Sequence, residues 1–315
     1  MRNSLMAATS GSFLMPNISL TLFTVFLLVP VVGVFPAQAQ LARTYVSSFG
    51  NDANDCNRAT PCRTFQRAHD NTFGSGEITV LDPGGYGAVT ITKTISIIND
   101  GVGEAGVLVS GGAIGITVNA GASDRVSLRG VTIKGIGFGG GEGVAFLSGL
   151  SLTVENCVVR NLTDVGFEIR AASPSTFSAS NTLVAENSAV GIFADSDALT
   201  VLLNRVELYN NGNDGFRLVG SSASTSATVV ESVAANNALD GFAAYGSSMY
   251  LVRSVAFYNQ ALGVRAENSG TVVRMSDNMI VYNQVGDWAF RNGAQLISYG
   301  DNIGLGTASS QALKH

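Results

Sequence analysis

Charge is what this sequence has least of. Asp, Glu, Lys and Arg make up 13% of its 315 residues, about half the usual quarter. Lysine is reduced to Lys93, Lys134 and Lys314. Such a composition excludes a coiled coil or a charge-rich disordered chain. The net charge of −5 excludes a duplex-binding protein, which needs cations to displace counterions, so no nucleic-acid partner is expected. Histidine is limited to His69 and His315 and cysteine to Cys56, Cys62 and Cys157. Two histidines and three cysteines do not supply the ligand set of a zinc-type site, and none is expected.

Long apolar runs are equally scarce. The only one is Ile18 to Phe35, followed by Pro36-Ala37-Gln38-Ala39. Small residues at 37 and 39 form an Ala-x-Ala site, and the segment reads as a signal peptide (1–39) cut after Ala39. The competing reading is an uncleaved anchor, since 18 apolar residues just span a bilayer. After cleavage no membrane span is expected, and the mature protein is exported to the periplasm, cell surface or extracellular space. Cys56 and Cys62 flank a short loop, and in an exported protein a disulfide between them is expected.

What is abundant is glycine, 37 residues, and asparagine, 24. A glycine followed by an apolar residue recurs at Gly143, Gly166, Gly191, Gly215, Gly241 and Gly263, and Gly286 continues the series; the steps are 23, 25, 24, 26, 22 and 23 residues. Three to five residues before each of the last six lies an asparagine: Asn161, Asn187, Asn210, Asn236, Asn259 and Asn283. In four units a second asparagine lies further back: Asn156, Asn181, Asn204 and Asn278. The apolar residues between alternate with period two. Such a unit accommodates three short strands with turns, each unit one rung stacked at about 4.8 Å on the next. Asparagine and glycine suit tight left-handed bends. The sequence therefore predicts an all-β solenoid with rungs of about 24 residues.

The Asn-x3-Gly-apolar pattern resembles the right-handed parallel β-helix repeat of the pectin-lyase-like superfamily, over about residues 78–305. The head, with Thr44-Tyr45-Val46-Ser47, Gly50-Asn51-Asp52 and Pro61-Cys62-Arg63-Thr64-Phe65, is similar to that of uncharacterised exported bacterial members. The resemblance implies a single-stranded right-handed coil. It leaves function open, because that fold hosts lyases, hydrolases, epimerases and adhesins. Residues 40–77 are expected to supply an N-terminal strand, the cysteine loop and a helix over 61–72 that caps the open coil end. Residues 306–315 form a C-terminal tail.

Counting back from the nearer asparagine assigns inward positions to Cys157 and Val159, Leu183 and Ala185, Val206 and Leu208, Val255 and Phe257, Met279 and Val281. Cys157 is then a buried thiol under Leu183. After each glycine, positions one and three point inward, with Phe216 and Phe242 in adjacent layers. Positions two and four point out and gather Glu168, Arg170, Asp195, Arg217, Tyr245, Arg265 and Glu267, the candidate glycan-binding residues. Tyr209, Tyr258 and Tyr282 are also expected to face outward, where flat rings suit sugar stacking.

The weak catalytic candidates are Asp214 and Asp240, on successive rungs at the spacing of a retaining carboxylate pair, and Arg217 and Arg265, which could neutralise a uronic carboxylate. The Asn-Thr-Asp, Asp-Asp and Gly-His-Gly motifs of the superfamily's hydrolases are missing. The sequence is read as an exported, non-catalytic β-helix protein with acidic polysaccharide as its candidate partner and no cofactor. The alternative is a polysaccharide lyase, less readily a hydrolase, with Ca²⁺ held by Asp195, Asp214 or Asp240.

Overall fold

Two left-handed residues per rung turn the chain around its corners. Asn156, Asn181, Arg205, Glu231, Arg253 and Asp277 make one corner and Asn161, Glu186, Asn210, Asn236, Tyr258 and Tyr282 the next, all with φ between 46° and 58° or at 59°. Between the corners the backbone is extended, and each strand pairs in parallel with its counterpart one rung away. The computed structural model describes residues 40–136, 140–171, 174–221, 224–306 and 310–311. The expected signal peptide, 1–39, lies outside them.

The result is a parallel β-helix. Its front sheet has nine strands, running from Val89–Ile91 through Ile116–Asn119, Val144–Ser148, Phe167–Ile169, Ile192–Asp195, Phe216–Val219, Phe242–Tyr245 and Leu262–Glu267 to Gly286–Arg291. These are the strands of the repeat glycines, with two exceptions: Ala88 rather than Gly87 precedes the first, because Val89 aligns with Ile116, and in the last Gly286 aligns with Leu262, so that Asp287 rather than Gly286 takes the glycine position before Trp288. A second face includes Ser151–Glu155, Ser226–Val230 and Ser248–Val252, and a third includes Val158–Arg160, Val233–Ala235 and Val255–Phe257. In two rungs these faces join as the long strands Ser175–Ala185 and Leu199–Tyr209.

The coil begins earlier and ends later than the repeat suggests. Leu41–Val46 pairs with Thr72–Val80, and Ser310–Gln311 pairs with Ile297 and Ser298. The helix Phe65–Asn71, capped by Thr64, whose hydroxyl accepts from the Arg67 N–H, lies over the first front strand. Its side chains meet that strand's edge: Thr90 N–H donates to Gln66 Oε1 at 2.8 Å and Thr92 N–H to His69 Nε2 at 3.3 Å. An otherwise bare edge is thereby covered. Phe65 packs on Tyr86 with ring centroids 5.1 Å apart, and Cys56 and Cys62 form the disulfide beside it.

Inward positions after the glycines are as expected: Phe167, Phe216, Phe242 and Val264 are fully buried, and Phe216 stacks on Phe242. The asparagines are not one column but two. Asn161, Asn210 and Asn236 occupy the exposed left-handed corner. Asn187, Asn211, Asn237, Asn259 and Asn283 occupy the next position and are buried. Each buried amide donates to the next: 3.0 Å for Asn187 to Asn211, then 2.9 Å from Asn211 to Asn237, from Asn237 to Asn259 and from Asn259 to Asn283. The same acceptor oxygens take the backbone N–H of the preceding rung's asparagine.

Merging these columns shifts the inside–outside assignment by one residue wherever the reference asparagine belongs to the ladder. Cys157, Val159, Ala185, Val206 and Leu208 are buried as expected, but Leu183, Val255, Phe257 and Val281 are half-exposed and Met279 is exposed. Their neighbours Thr182, Val184, Ser254, Ala256, Asn278 and Ile280 point inward instead. Cys157 is buried, and its N–H faces the Thr182 hydroxyl rather than Leu183 lying over it. Burial pushes its thiol up to about 11, which keeps it unreactive.

The ladder gives a direct test between chain neighbours. Asn237→Ala removes the acceptor of the Asn211 amide and of the Asn211 N–H and is expected to cost about 3 kcal/mol or more, at roughly 1–3 kcal/mol per orphaned buried group. Asn236→Ala, exposed and merely left-handed, is expected to cost about 1 kcal/mol. Denaturant unfolding of both variants checks this, and the reverse order would overturn the column assignment.

Candidate functional site

The period of two along each front strand sends the residue two after the glycine outward, and parallel register stacks those residues. Glu168, Phe193, Arg217, Ala243 and Arg265 form one outward row. Asp195, Val219, Tyr245 and Glu267 form the next, and Arg170 precedes them by one rung. All seven candidate glycan-binding residues therefore lie on one face.

They separate into two clusters. In the first, Arg170 pairs with Glu168 at 2.7 Å, and its guanidinium lies 5.7 Å from the centre of the Phe193 ring on the next rung. In the second, Arg217 Nε donates to Asp214 Oδ2 at 2.5 Å and its NH2 group donates to Asn213 at 2.8 Å. Its guanidinium lies 5.9 Å from the centre of the Tyr245 ring, again one rung on. Arg265 donates to Asp240 through Nε and to Glu267 at 3.0 Å. Arg217, Val219, Tyr245 and Asn268 line a shallow depression there. Asp195 is exposed and joins neither cluster.

Asp214 and Asp240 are adjacent, as their positions before successive glycines imply, but their side chains are 0% and 2% exposed. Asp214 Oδ1 accepts the Asp240 N–H at 2.9 Å, and Asp240 Oδ1 accepts the Leu262 N–H at 2.8 Å. Each carboxylate thus binds the following rung's backbone on one side and an arginine on the other. Burial raises the Asp214 pKa, against the opposing pull of Arg217. Burial works against the Arg265 cation, yet the Asp240 hydrogen bond and charge hold its pKa above the ordinary value. These aspartates position the arginines and are withdrawn from solvent.

The Ca²⁺ of the lyase alternative does not fit these donors. Two of the three aspartates are committed to arginines, and among the described residues no three His, Cys, Asp or Glu side chains gather as a metal site. Among the described residues, too, no helix is long and apolar enough to cross a membrane.

Sequence reasoning missed Glu142. It occupies the position before its glycine that Asp214 and Asp240 take three and four rungs later, so that column was the available signal. Its side chain meets Glu168, with Asp164 and Arg170 also near. One oxygen, Oε2, is buried without a donor among the described residues, and burial followed by the hydrogen bond to Glu168 pushes the Glu142 pKa up to about 7. Burial and the neighbouring Glu168 carboxyl both disfavour a further negative charge here, so Glu142 holds its proton more tightly than an ordinary carboxyl does.

That proton sets a pH dependence. The folded chain retains it up to about 7, whereas an ordinary glutamate carboxyl loses its proton near 4.5. Between those values the folded state binds more protons, so stability falls as pH rises and is least once Glu142 ionises. The thermal midpoint of the wild type is expected to drop from about pH 5 to about pH 8, and Glu142→Gln to flatten that drop. A variant that keeps the full slope would show that Glu142 is not its source.

Two known structures with TM-scores above 0.5 share this architecture. The chain superposes on a crystal structure of a pectate lyase with a TM-score of 0.63 at 19% identity, covering 87% of this chain and 79% of that one. The enzymatically active domain of tailspike protein 2 from bacteriophage CBA120 gives 0.57 at 11% identity, covering 75% of this chain and 39% of that one. The A-module of a mannuronan C-5 epimerase from Azotobacter vinelandii gives 0.44 at 17% identity, covering 71% and 72%. A comparison with curated protein sequences gives no match. The family model for the right-handed beta helix region matches residues 114–303, more than half of the sequence. With its parallel coil, paired corners and stacked interior, the chain belongs to the right-handed β-helix family.

Proposed function

We propose that this is an exported protein of the cell envelope or extracellular space that binds an acidic polysaccharide lengthwise along its front sheet without cleaving it. One observation carries the reading: an arginine lies beside an aromatic ring of the next rung twice on the same face, Arg170 with Phe193 and Arg217 with Tyr245. A guanidinium donates paired hydrogen bonds to a carboxylate, and the ring beside it offers a flat apolar plate to a sugar. Rungs about 4.8 Å apart repeat these groups along a straight line suited to a linear polymer. The likeness in fold to a pectate lyase supports the polysaccharide class. The apolar segment with its Ala-x-Ala site and the Cys56–Cys62 disulfide support export.

The absence of cleavage is inferred from the carboxylates. Asp214 and Asp240 are buried and doubly engaged. The lyase alternative retains one supporting feature, the half-buried Glu142 carboxyl facing Glu168 with its pKa raised to about 7, beside the first arginine–ring pair.

Polygalacturonate is the probe. Wild type is expected to bind it with an affinity that falls as salt rises, and to release no unsaturated product. Arg170→Ala and the double variant Arg217→Ala with Arg265→Ala are expected to weaken binding about tenfold or more, at roughly 1.5–3 kcal/mol per charge-assisted bond. Arg274→Ala, on the second face, is expected to leave it unchanged. Removing Arg217 or Arg265 strands a buried aspartate at a cost of several kcal/mol, so folding is verified first, and Arg170→Ala tests the face without that cost. Unchanged binding by folded variants would reject the site, and unsaturated product abolished by Glu142→Gln would replace binding with lyase chemistry. Intact mass of the natively produced protein tests export: a chain beginning at Gln40 is expected, and retention of residues 1–39 would contradict cleavage.

A further inference from the structure

The corner between the third face and the front sheet changes character along the coil. Asn161, Glu186, Asn210 and Asn236 occupy it in earlier rungs, but two later rungs place the aromatic residues Tyr258 and Tyr282 there, with φ of 53° and 59°. A left-handed backbone is natural for asparagine and sterically disfavoured for a bulky residue. Nothing in the coil requires a ring at this position, because the two tyrosines are 53% and 73% exposed. Their rings are stacked, with centroids 5.6 Å apart and planes at 16°, and Phe257 meets Tyr258 edge-on at 5.5 Å.

Beyond Tyr282 lies a pocket of about 400 Å³ lined by Val281, Tyr282, Asp287, Ile303, Gly304 and Leu305. Its walls are apolar and open: Ile303 and Leu305 are 64% and 84% exposed. Its polar group is Asp287, 7% exposed, whose Oδ2 accepts the Leu305 N–H at 2.5 Å and whose Oδ1 takes a long contact of 3.4 Å from the Asn283 amide, which leaves lone pairs for a further donor. The adjoining indole of Trp288 packs on Gly304, where a side-chain carbon would come within 2.5 Å of its ring. Its buried Nε1–H has no hydrogen-bond partner among the described residues.

We propose that this corner is a second carbohydrate site, taking one neutral pyranose ring of a glycan stacked parallel to the Tyr258–Tyr282 pair, with Asp287 accepting from a sugar hydroxyl. The chemistry selects a sugar. A pyranose has an apolar face to lay against an aromatic plate and hydroxyls at its rim. A buried carboxylate with apolar walls disfavours a uronic acid, so the ligand differs in charge from that of the front sheet. The proposal does not depend on polyuronate binding there.

Trp288 is the only tryptophan, so its fluorescence reports on this pocket. The probes are neutral oligosaccharides of the gluco-, galacto-, manno- and xylo- series. At least one is expected to give a saturable change, weakened about tenfold by Tyr282→Ala, the scale of one aromatic stacking contact, and retained by Tyr282→Phe. Arg170→Ala, on the front sheet, is expected to leave it unchanged. No response to any member, or equal affinity of a folded Tyr282→Ala protein, would overturn the site. So would a concentration-dependent dimer dissolved by Tyr282→Ala, which would assign the corner to a second copy of the chain.

Discussion

The structure depends on what happens to buried polar groups where the coil turns. A parallel stack pairs its strands without difficulty, but each corner folds backbone amides inward, where an unpaired donor is costly. Asparagine resolves this at the corner before the front sheet. Its oxygen accepts the neighbouring rung's amide and N–H, while its nitrogen reaches both the next oxygen and a third-face carbonyl, as Asn237 does with Asn259 and Leu208. The following rung must supply the same group in the same place. That repetition fixes the phase in which each front strand leaves the corner, and so decides which side chains enter the core and which face outward.

Much of this was legible in the sequence. The glycine–apolar spacing located the front sheet, and alternation after the glycine placed Phe216 inside and Arg217 outside. The asparagines were less legible because two adjacent positions favour the same residue for different reasons. One needs a left-handed backbone and the other an amide that donates and accepts. Sequence spacing could not separate Asn236 from Asn237, and the resulting slip turned Phe257 and Met279 inward on paper when Ala256 and Ile280 are the core residues. The second corner adds to the ambiguity, since its buried column mixes Thr182, Ser232, Ser254 and Asn278.

The front face illustrates how the same geometry can disguise chemistry. Asp214 and Asp240 stand in neighbouring turns, as a pair of reacting carboxyls would, yet each bonds to the next rung and orients an arginine. Charge on this face is therefore organised from below: buried aspartates hold arginines, and the arginines lie against or beside aromatic rings. Glu142 takes the same turn position in an earlier rung without an arginine of its own and meets Glu168 instead. Only the spatial neighbourhood distinguishes a positioned ion pair from two facing carboxyls, because the residue before the glycine is acidic in both cases.

The claim on which the rest stands is that the corner amides form one continuous buried ladder. Side-chain amide hydrogen exchange, followed residue by residue by NMR, tests it most directly. The Asn211, Asn237 and Asn259 amide protons, which bond to the next rung and to a buried carbonyl, are expected to exchange far more slowly than those of Asn161, Asn210 and Asn236. Equal, solvent-like exchange in both sets would mean that no ladder exists and that the phase of every front strand has been misassigned.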